Sequence, residues 1–314
     1  MTFLCYQIRH STLYSYSSTV TQADHLVKLR PRDLLTQRCL SHDLKVSPGT
    51  GSVRWHTDYF GNECAVMSVD GAHNQLEITA TSRVAVGMPF LPAPSETPSW
   101  ETVRGQVMTD RAAKGLEAME YTYDSSQIDP NLGIADYAKV SFTKGRPILD
   151  AAKELTRRIF DDFAFDPTAT TVSTPVSEVF KKRRGVCQDF AHFQIACLRS
   201  LGLSARYVSG YLETDPPPGG TKLVGADASH AWVSFYCPGI GWIDLDPTNG
   251  CLPSLRHITI GWGRDYGDIC PVRGVIHGGG DHVLSVGVDV IAEGNMEIPY
   301  KSDGRSHPHS PLPK

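Results

Sequence analysis

Apolar and polar positions alternate in short runs through the first part of the chain, at residues 3–8, 12–20, 25–29, 40–46, 53–59, 65–69 and 76–86. Side chains two positions apart share one face of a strand, so each run predicts a strand with one apolar face. Turn-forming residues separate several runs, as in Ser47-Pro48-Gly49-Thr50-Gly51 and Gly61-Asn62. Seven short strands with such punctuation predict an all-β, sandwich-like N-terminal domain over residues 1–86. His10, His25, His42 and His56 are isolated within it and read as surface or strand-packing residues. Residues 87–99 hold four prolines and predict a stiff linker. A second domain then spans residues 100–300, and residues 301–314 form a flexible tail.

The period of the pattern changes in the second domain. Residues 100–107 fit a strand or a short helix. After Pro147, the residues Ile148, Ala151, Ala152, Leu155, Ile159 and Phe160 recur at helical spacing, and Pro147 suits a first turn. A second, short helix carries Val176, Val179 and Phe180, with Thr174 as N-cap and Glu178 in its first turn. It ends in Lys181-Lys182-Arg183-Arg184, and Gly185 suits the residue after it. A third helix runs over residues 187–201, with Gly202 as its stop. Ala191, Ile195 and Leu198 share a face, while Phe190, Cys197 and Leu201 widen the stripe, which predicts burial on more than one side. Strands follow at residues 205–212, 230–236, 242–245 and 282–292. The loop at 213–228, with Pro216-Pro217-Pro218-Gly219-Gly220 inside it, is placed as a rim of the site.

Candidate chemistry lies where these elements begin and end. Cys187 opens a helix just past Gly185, where unpaired N–H groups and the helix dipole favour a thiolate. The same amides can form part of an oxyanion hole. Cys197, by contrast, fits a small buried hydrophobe. On the strand at 230–236, His230, Trp232, Ser234 and Tyr236 share a face, and on the next strand Trp242, Asp244 and Asp246 do. A turn of odd length centred on Gly239 pairs Tyr236 with Trp242, Ser234 with Asp244 and Trp232 with Asp246. Asp246 is then a diagonal neighbour of His230, at roughly 7–8 Å before the side chains reach toward each other. Cys187, His230 and Asp246 have the residue types of a thiol nucleophile, its base and the base's orienter. Asp244 reads as structural or solvated, Asp189 as a helix-turn carboxylate, and His192 as out of phase with Cys187. Trp232 and Tyr236 share the His230 face and pack around the site or line it.

Composition narrows the function classes. Hydrophobic residues make up 40% and charged residues 20%, ordinary for a folded protein. A net charge of −4 gives no general attraction to nucleic acid or to an anionic membrane. No apolar run reaches the roughly 18 residues of a membrane span. The opening residues 1–10 alternate like a strand and lack the regions of a secretion signal, so a cytoplasmic location is expected. The eight cysteines are scattered, without a disulfide framework or zinc-like spacing, and no metal or cofactor is expected. Gly278-Gly279-Gly280 lacks the context of a phosphate loop, and His307 and His309 lie in a Pro/Ser-rich tail. The pattern does not specify an oligomeric state.

Four stretches together resemble the transglutaminase-like core: residues 185–192 (Gly-Val-Cys-Gln-Asp-Phe-Ala-His), 205–211, 229–233 and 241–249. Tyr6-Gln7-Ile8-Arg9-His10 resembles the opening of the N-terminal domain that accompanies this core in bacterial transglutaminase-like proteins. Residues 263–268 and 271–274 are similar to that family as well. The resemblance implies an α+β fold with a papain-like/transglutaminase core, a cysteine-bearing helix packed on an antiparallel sheet. It implies Cys187 as nucleophile, His230 as general base and acid, and Asp246 as orienter. The reaction it implies is attack on an amide carbonyl, with an acyl-thioester resolved by water or by an amine. A thiol hydrolase of peptide or isopeptide amides leads. A transglutaminase joining glutamine to amines, or a catalytically silent binding module of the same fold, are the alternatives. Two features of related enzymes are missing. Residues 181–186 hold no glutamine for a papain-type oxyanion hole, and Trp100 is the only tryptophan between positions 60 and 230. The Cys187 amide is thus the one donor assigned, and no calcium-binding loop is seen.

Overall fold

The computed structural model describes residues 2–49, 52–89, 91–129, 132–215 and 228–297. The first four strands are β1 (Thr2–Val27), β2 (Gln37–Ser47), β3 (Ser52–Thr57) and β4 (Glu63–Val86). β1 and β4 each merge runs that the alternation divides. The polar interruption at Ser17-Ser18 does not end β1, because the β1–β4 register shifts between Ser15 and Val20 and again by Gln22. Such an irregularity absorbs extra residues without ending the pairing.

Helices follow: α1 (Trp100–Thr109), α2 (Ala113–Glu120), α3 (Leu132–Lys139) and α4 (Ile148–Asp162). The ambiguous stretch at 100–107 is helical, with the Ser99 hydroxyl accepting the Thr102 N–H at 3.3 Å. Helices as short as α2 and α3 are marginal alone and depend on packing, here through core residues Ala118, Ile134 and Ala138. α4 buries the expected stripe, except that Phe160 is exposed and Pro147 is the N-cap. The two-residue strands β5 (Ala164–Phe165) and β6 (Arg184–Gly185) pair in parallel and bracket α5 (Val176–Lys182). Pro175, not Thr174, caps α5, while the Thr174 hydroxyl accepts the Thr171 N–H at 2.8 Å. α5 ends at Arg183, which takes the left-handed conformation (φ 55°) expected near Gly185. The Arg183 guanidinium lies over the rings of Phe180, Phe163 and Tyr137, and that packing offsets a backbone cost glycine would avoid.

α6 (Cys187–Ser200) is the central helix, and every residue from Asp189 to Arg199 is buried. Gly202 (φ 74°) turns the chain into β7 (Ala205–Leu212), followed by β8 (Ala228–Cys237), β9 (Gly241–Leu245) and β10 (His257–Gly263). These form an antiparallel sheet in the order β10-β7-β8-β9, with α6 against β7 and β8.

The last strands are β11 (Val272–Gly278) and β12 (His282–Glu297), and both pair with β1. The β-rich part is therefore one six-stranded sheet, β11-β1-β4-β2 with β12 on β1 and β3 on β4, built from both ends of the chain. Its strands thus include β11 and β12 from the end of the chain as well as those of the N-terminal segment. Gly278, Gly279 and Gly280 all have positive φ and make the β11–β12 turn. β10 and β11 were hidden by their glycines. Gly261 is required by close approach, since a Cβ there would lie 2.3 Å from the Asn62 side-chain oxygen. Among the described residues, no helix is long and apolar enough to cross a membrane.

Candidate active site

Cys187 is the first residue of α6, and the turn before it is pinned by Asp189. The Asp189 carboxylate accepts the Val186 N–H at 2.8 Å and the Thr170 hydroxyl at 2.6 Å. Burial raises its pKa, and those hydrogen bonds partly oppose the rise. Gly185 must be glycine for this turn to close, because a Cβ there would meet the Asp189 Oδ2 at 2.5 Å. Asp189 thus shapes the mouth of the helix.

Half-buried Cys187 lines a cleft of about 250 Å³ with His230, Tyr207 and Ser209. The opposite wall comes from the other sheet, through His10, Tyr14, Leu284 and Val286. His10 is not a surface residue. It is buried and shares a hydrogen bond with the Tyr211 hydroxyl at 3.0 Å, joining the two sheets at the cleft.

The β8–β9 hairpin has the register expected from parity. Tyr236 pairs with Trp242 and Ser234 with Asp244, around Gly239 at φ 84°. Asp244 accepts the Trp232 indole N–H at 3.1 Å, a structural use. Trp232 is fully buried beside His230, with ring centres 6.1 Å apart. His230 Nε2 stands 2.8 Å from Asp246 Oδ2, which leaves Nδ1 as the ring nitrogen free to face the thiol. Burial works to lower the His230 pKa. Hydrogen bonds to Asp246 and Cys187, with the negative charge of Asp246, outweigh it and push it up to about 10.

Asp246 is fully buried and saturated with donors. Its Oδ2 receives His230, the Asn249 side-chain amide at 2.6 Å and His257 Nε2 at 3.0 Å. Its Oδ1 receives the backbone N–H groups of Thr248 at 2.9 Å and Asn249 at 3.2 Å. Burial favours the neutral acid, but these donors prevail and hold the carboxyl well below the usual carboxylate range. The Asp-Pro turn and the carboxylate site are thus the same feature, closed by paired backbone hydrogen bonds with Cys251.

The structure brings Cys187, His230 and Asp246 together and keeps His192 apart. His192 accepts the Tyr266 N–H at 3.1 Å, and burial lowers its pKa to about 4. Two residues escaped the sequence reading. Asn249 lies within the 241–249 stretch, where the local pattern does not show what its amide meets. His257 opens β10, a strand the glycine-rich sequence hid, and carried no separate signal. His230, Asp246 and His257 are the one group of potential metal ligands this close among the described residues, within 4.8 Å. Both rings hydrogen-bond to Asp246, so the cluster is built as a hydrogen-bond net around one carboxylate. Of the loop proposed as a rim, residues 216–227 lie outside the described residues, as does the tail with His307 and His309.

Residues 6–85 match the family model of the bacterial transglutaminase-like N-terminal region, and residues 136–247 match that of the transglutaminase-like superfamily. An uncharacterized protein of Mycobacterium tuberculosis is 40% identical over 295 residues, covering 91% of this chain and 92% of its own. The chain belongs to the transglutaminase-like superfamily and carries the bacterial N-terminal region of that family. A protein from Cytophaga hutchinsonii named "Putative Cysteine Protease" shares the fold over 96% of each chain, with a TM-score of 0.76 at 18% identity. A protein-glutamine gamma-glutamyltransferase of Pseudomonas aeruginosa is 32% identical over 107 residues, 32% of this chain and 16% of that protein.

Proposed function

We propose that the protein is a thiol-dependent hydrolase of peptide or isopeptide amide bonds. Cys187 is its nucleophile, His230 its acid and base, and Asp246 the orienter. The observation that carries the reading is the His230 ring held 2.8 Å from a buried, donor-saturated carboxylate, in the cleft it lines with the cysteine at the mouth of α6.

The Cys187 thiolate adds to the amide carbonyl, and the oxyanion that forms faces the Cys187 N–H at the start of α6. His230 gives its Nδ1 proton to the departing amine, the C–N bond breaks, and an acyl-thioester on Cys187 remains. The now neutral ring takes a proton from water, which attacks the thioester. The carboxylic acid leaves and the thiolate–imidazolium pair returns. Asp246 keeps the ring oriented and stabilises its charge throughout. The wall formed by Tyr14, Leu284 and Val286 favours an apolar substrate side chain opposite Cys187. The N-terminal region is thereby part of the substrate cleft. All eight cysteines are free, which supports action in a reducing compartment such as the cytoplasm.

The test is incubation of the full chain with a panel of peptides and γ-glutamyl isopeptides, with and without a labelled primary amine. Release of acid and amine, lost in Cys187→Ala, is the expected result. Incorporation of the labelled amine would make the protein an acyltransferase instead. Full activity in Cys187→Ala would sink the assignment.

A further inference from the structure

A second cavity, about 530 Å³, opens on the sheet face that carries Trp232 and Asp244. The end of β4 supplies Val86 to its wall, the β1–β2 connection Leu34, and the chain between the two parts Leu91. The wall is mainly apolar, which suits a small organic ligand. Its cationic member is Arg206 on β7, 5% exposed. Burial lowers the Arg206 pKa to about 10, so it remains a cation at neutral pH.

No hydrogen bond or ion pair engages this guanidinium among the described residues, and its Nε is buried without a partner. Its central carbon lies 4.0 Å from the centre of the Trp242 ring and 3.6 Å from that of Trp262. Both indole rings lie against the guanidinium. The N–H donors at its edge are all that remain to be used. Asp244 supplies negative charge that opposes the effect of burial on the guanidinium, but no acceptor among the described residues meets its buried Nε–H, and that donor edge can take a ligand carboxylate. A carboxylate meets such a fork in the same plane, with two parallel hydrogen bonds. Asp244 also lines the cavity, with its Oδ2 committed to the Trp232 indole, and it disfavours a second negative charge on the ligand.

We propose that this cavity binds a small monocarboxylic acid with an apolar body, its carboxylate on the edge of Arg206. The apolar body lies against Leu34, Val86, Leu91 and Leu252. The site is separate from the Cys187 cleft, although Trp232 and His257 stand between the two.

The probe pair is octanoate and octanamide, titrated into the full chain by calorimetry and by tryptophan fluorescence. Octanoate should bind saturably and shift the emission of the cavity tryptophans. Octanamide, with the same body and no charge, should bind about tenfold more weakly or worse. Arg206→Met should erase this discrimination. Arg206→Lys, which keeps the charge and loses the planar fork, should weaken octanoate while retaining the fold. Cys187→Ala should bind octanoate unchanged, so the result stands or falls apart from the catalytic proposal. Equal binding of acid and amide, no saturable octanoate binding, undiminished binding in Arg206→Lys, or loss of binding in Cys187→Ala would each overturn the site.

Discussion

His257 and His230 donate to the same atom: Asp246 Oδ2 receives the first at 3.0 Å and the second at 2.8 Å. The His257 tautomer is fixed by its other nitrogen, which accepts the Ser254 N–H at 3.2 Å. Its Nε2 must then carry the proton given to Asp246. His257 therefore anchors the Asp246 carboxylate from β10. Partners of this kind hold a functional group in place, and losing one typically costs about 10- to 100-fold in activity. His257→Phe keeps a ring against Trp232 and deletes the donor. We expect kcat to fall within that range with KM little changed, and His257→Gln, which restores an N–H, to recover part of the loss. An unaltered kcat in His257→Phe would reduce the residue to packing.

The contrast between Asp246 and His257 shows what the sequence can reveal. Asp246 was legible because hairpin pairing has a period of two and the turn around Gly239 fixed the register. Cys187 was legible because a helix start leaves identifiable orphan amides. His257 reaches the same carboxylate across a non-local strand order, β10-β7-β8-β9, which no local pattern encodes. The β11–β12 pairing with β1 was hidden for the same reason, since its partners lie more than two hundred residues apart along the chain. The end of α5 was misplaced onto Gly185 because the rings that stabilise Arg183 come from three separate elements.

Burial sets three cysteines apart from the half-buried Cys187. Burial pushes the thiols of Cys64 and Cys237 up to about 11 and that of Cys197 higher still, so these stay protonated at neutral pH. Iodoacetamide at pH 7 should modify Cys187 well ahead of these three, as mapped by peptide mass spectrometry. His230→Ala should slow modification of Cys187 by about tenfold or more. Equal labelling of Cys187 in the variant would show that the ring does not activate the thiol.

The raised His230 pKa also ties stability to pH. The folded value of about 10 lies above the roughly 6.5 of a free imidazole, so protonation favours the folded state. The stabilisation is complete below about pH 6.5 and is lost as pH rises through about 10. Asp246 has the opposite sign, because its lowered pKa contributes above the ordinary carboxylate value and is lost in acid. Denaturant unfolding of the wild type and His230→Gln should differ most near pH 6, and the gap should close toward pH 10. A gap that widens with alkali would mean the ring is held neutral in the fold.

Gly185→Ala tests whether the turn before α6 serves the fold alone or also the cleft. The new Cβ would sit 2.5 Å from Asp189 Oδ2 and 2.9 Å from the Asp189 Cγ, too close for the side chain to stay. The carboxylate must swing away from the Val186 N–H and the Thr170 hydroxyl, which releases the cap of α6. Loss of such a cap costs about 0.5–2 kcal/mol. Cys187 lies two residues along, so its thiol shifts relative to His230, and small misplacements at a reacting pair are costly in rate. Asp189→Asn keeps an oxygen that can accept the Val186 N–H and should cost less in both respects. The expected pattern is a modest drop in unfolding free energy for Gly185→Ala with a larger proportional loss of kcat, measured on protein that is still fully folded. Equal activity in Gly185→Ala and the wild type would mean that Cys187 is positioned by the body of α6, and not by the turn that opens it.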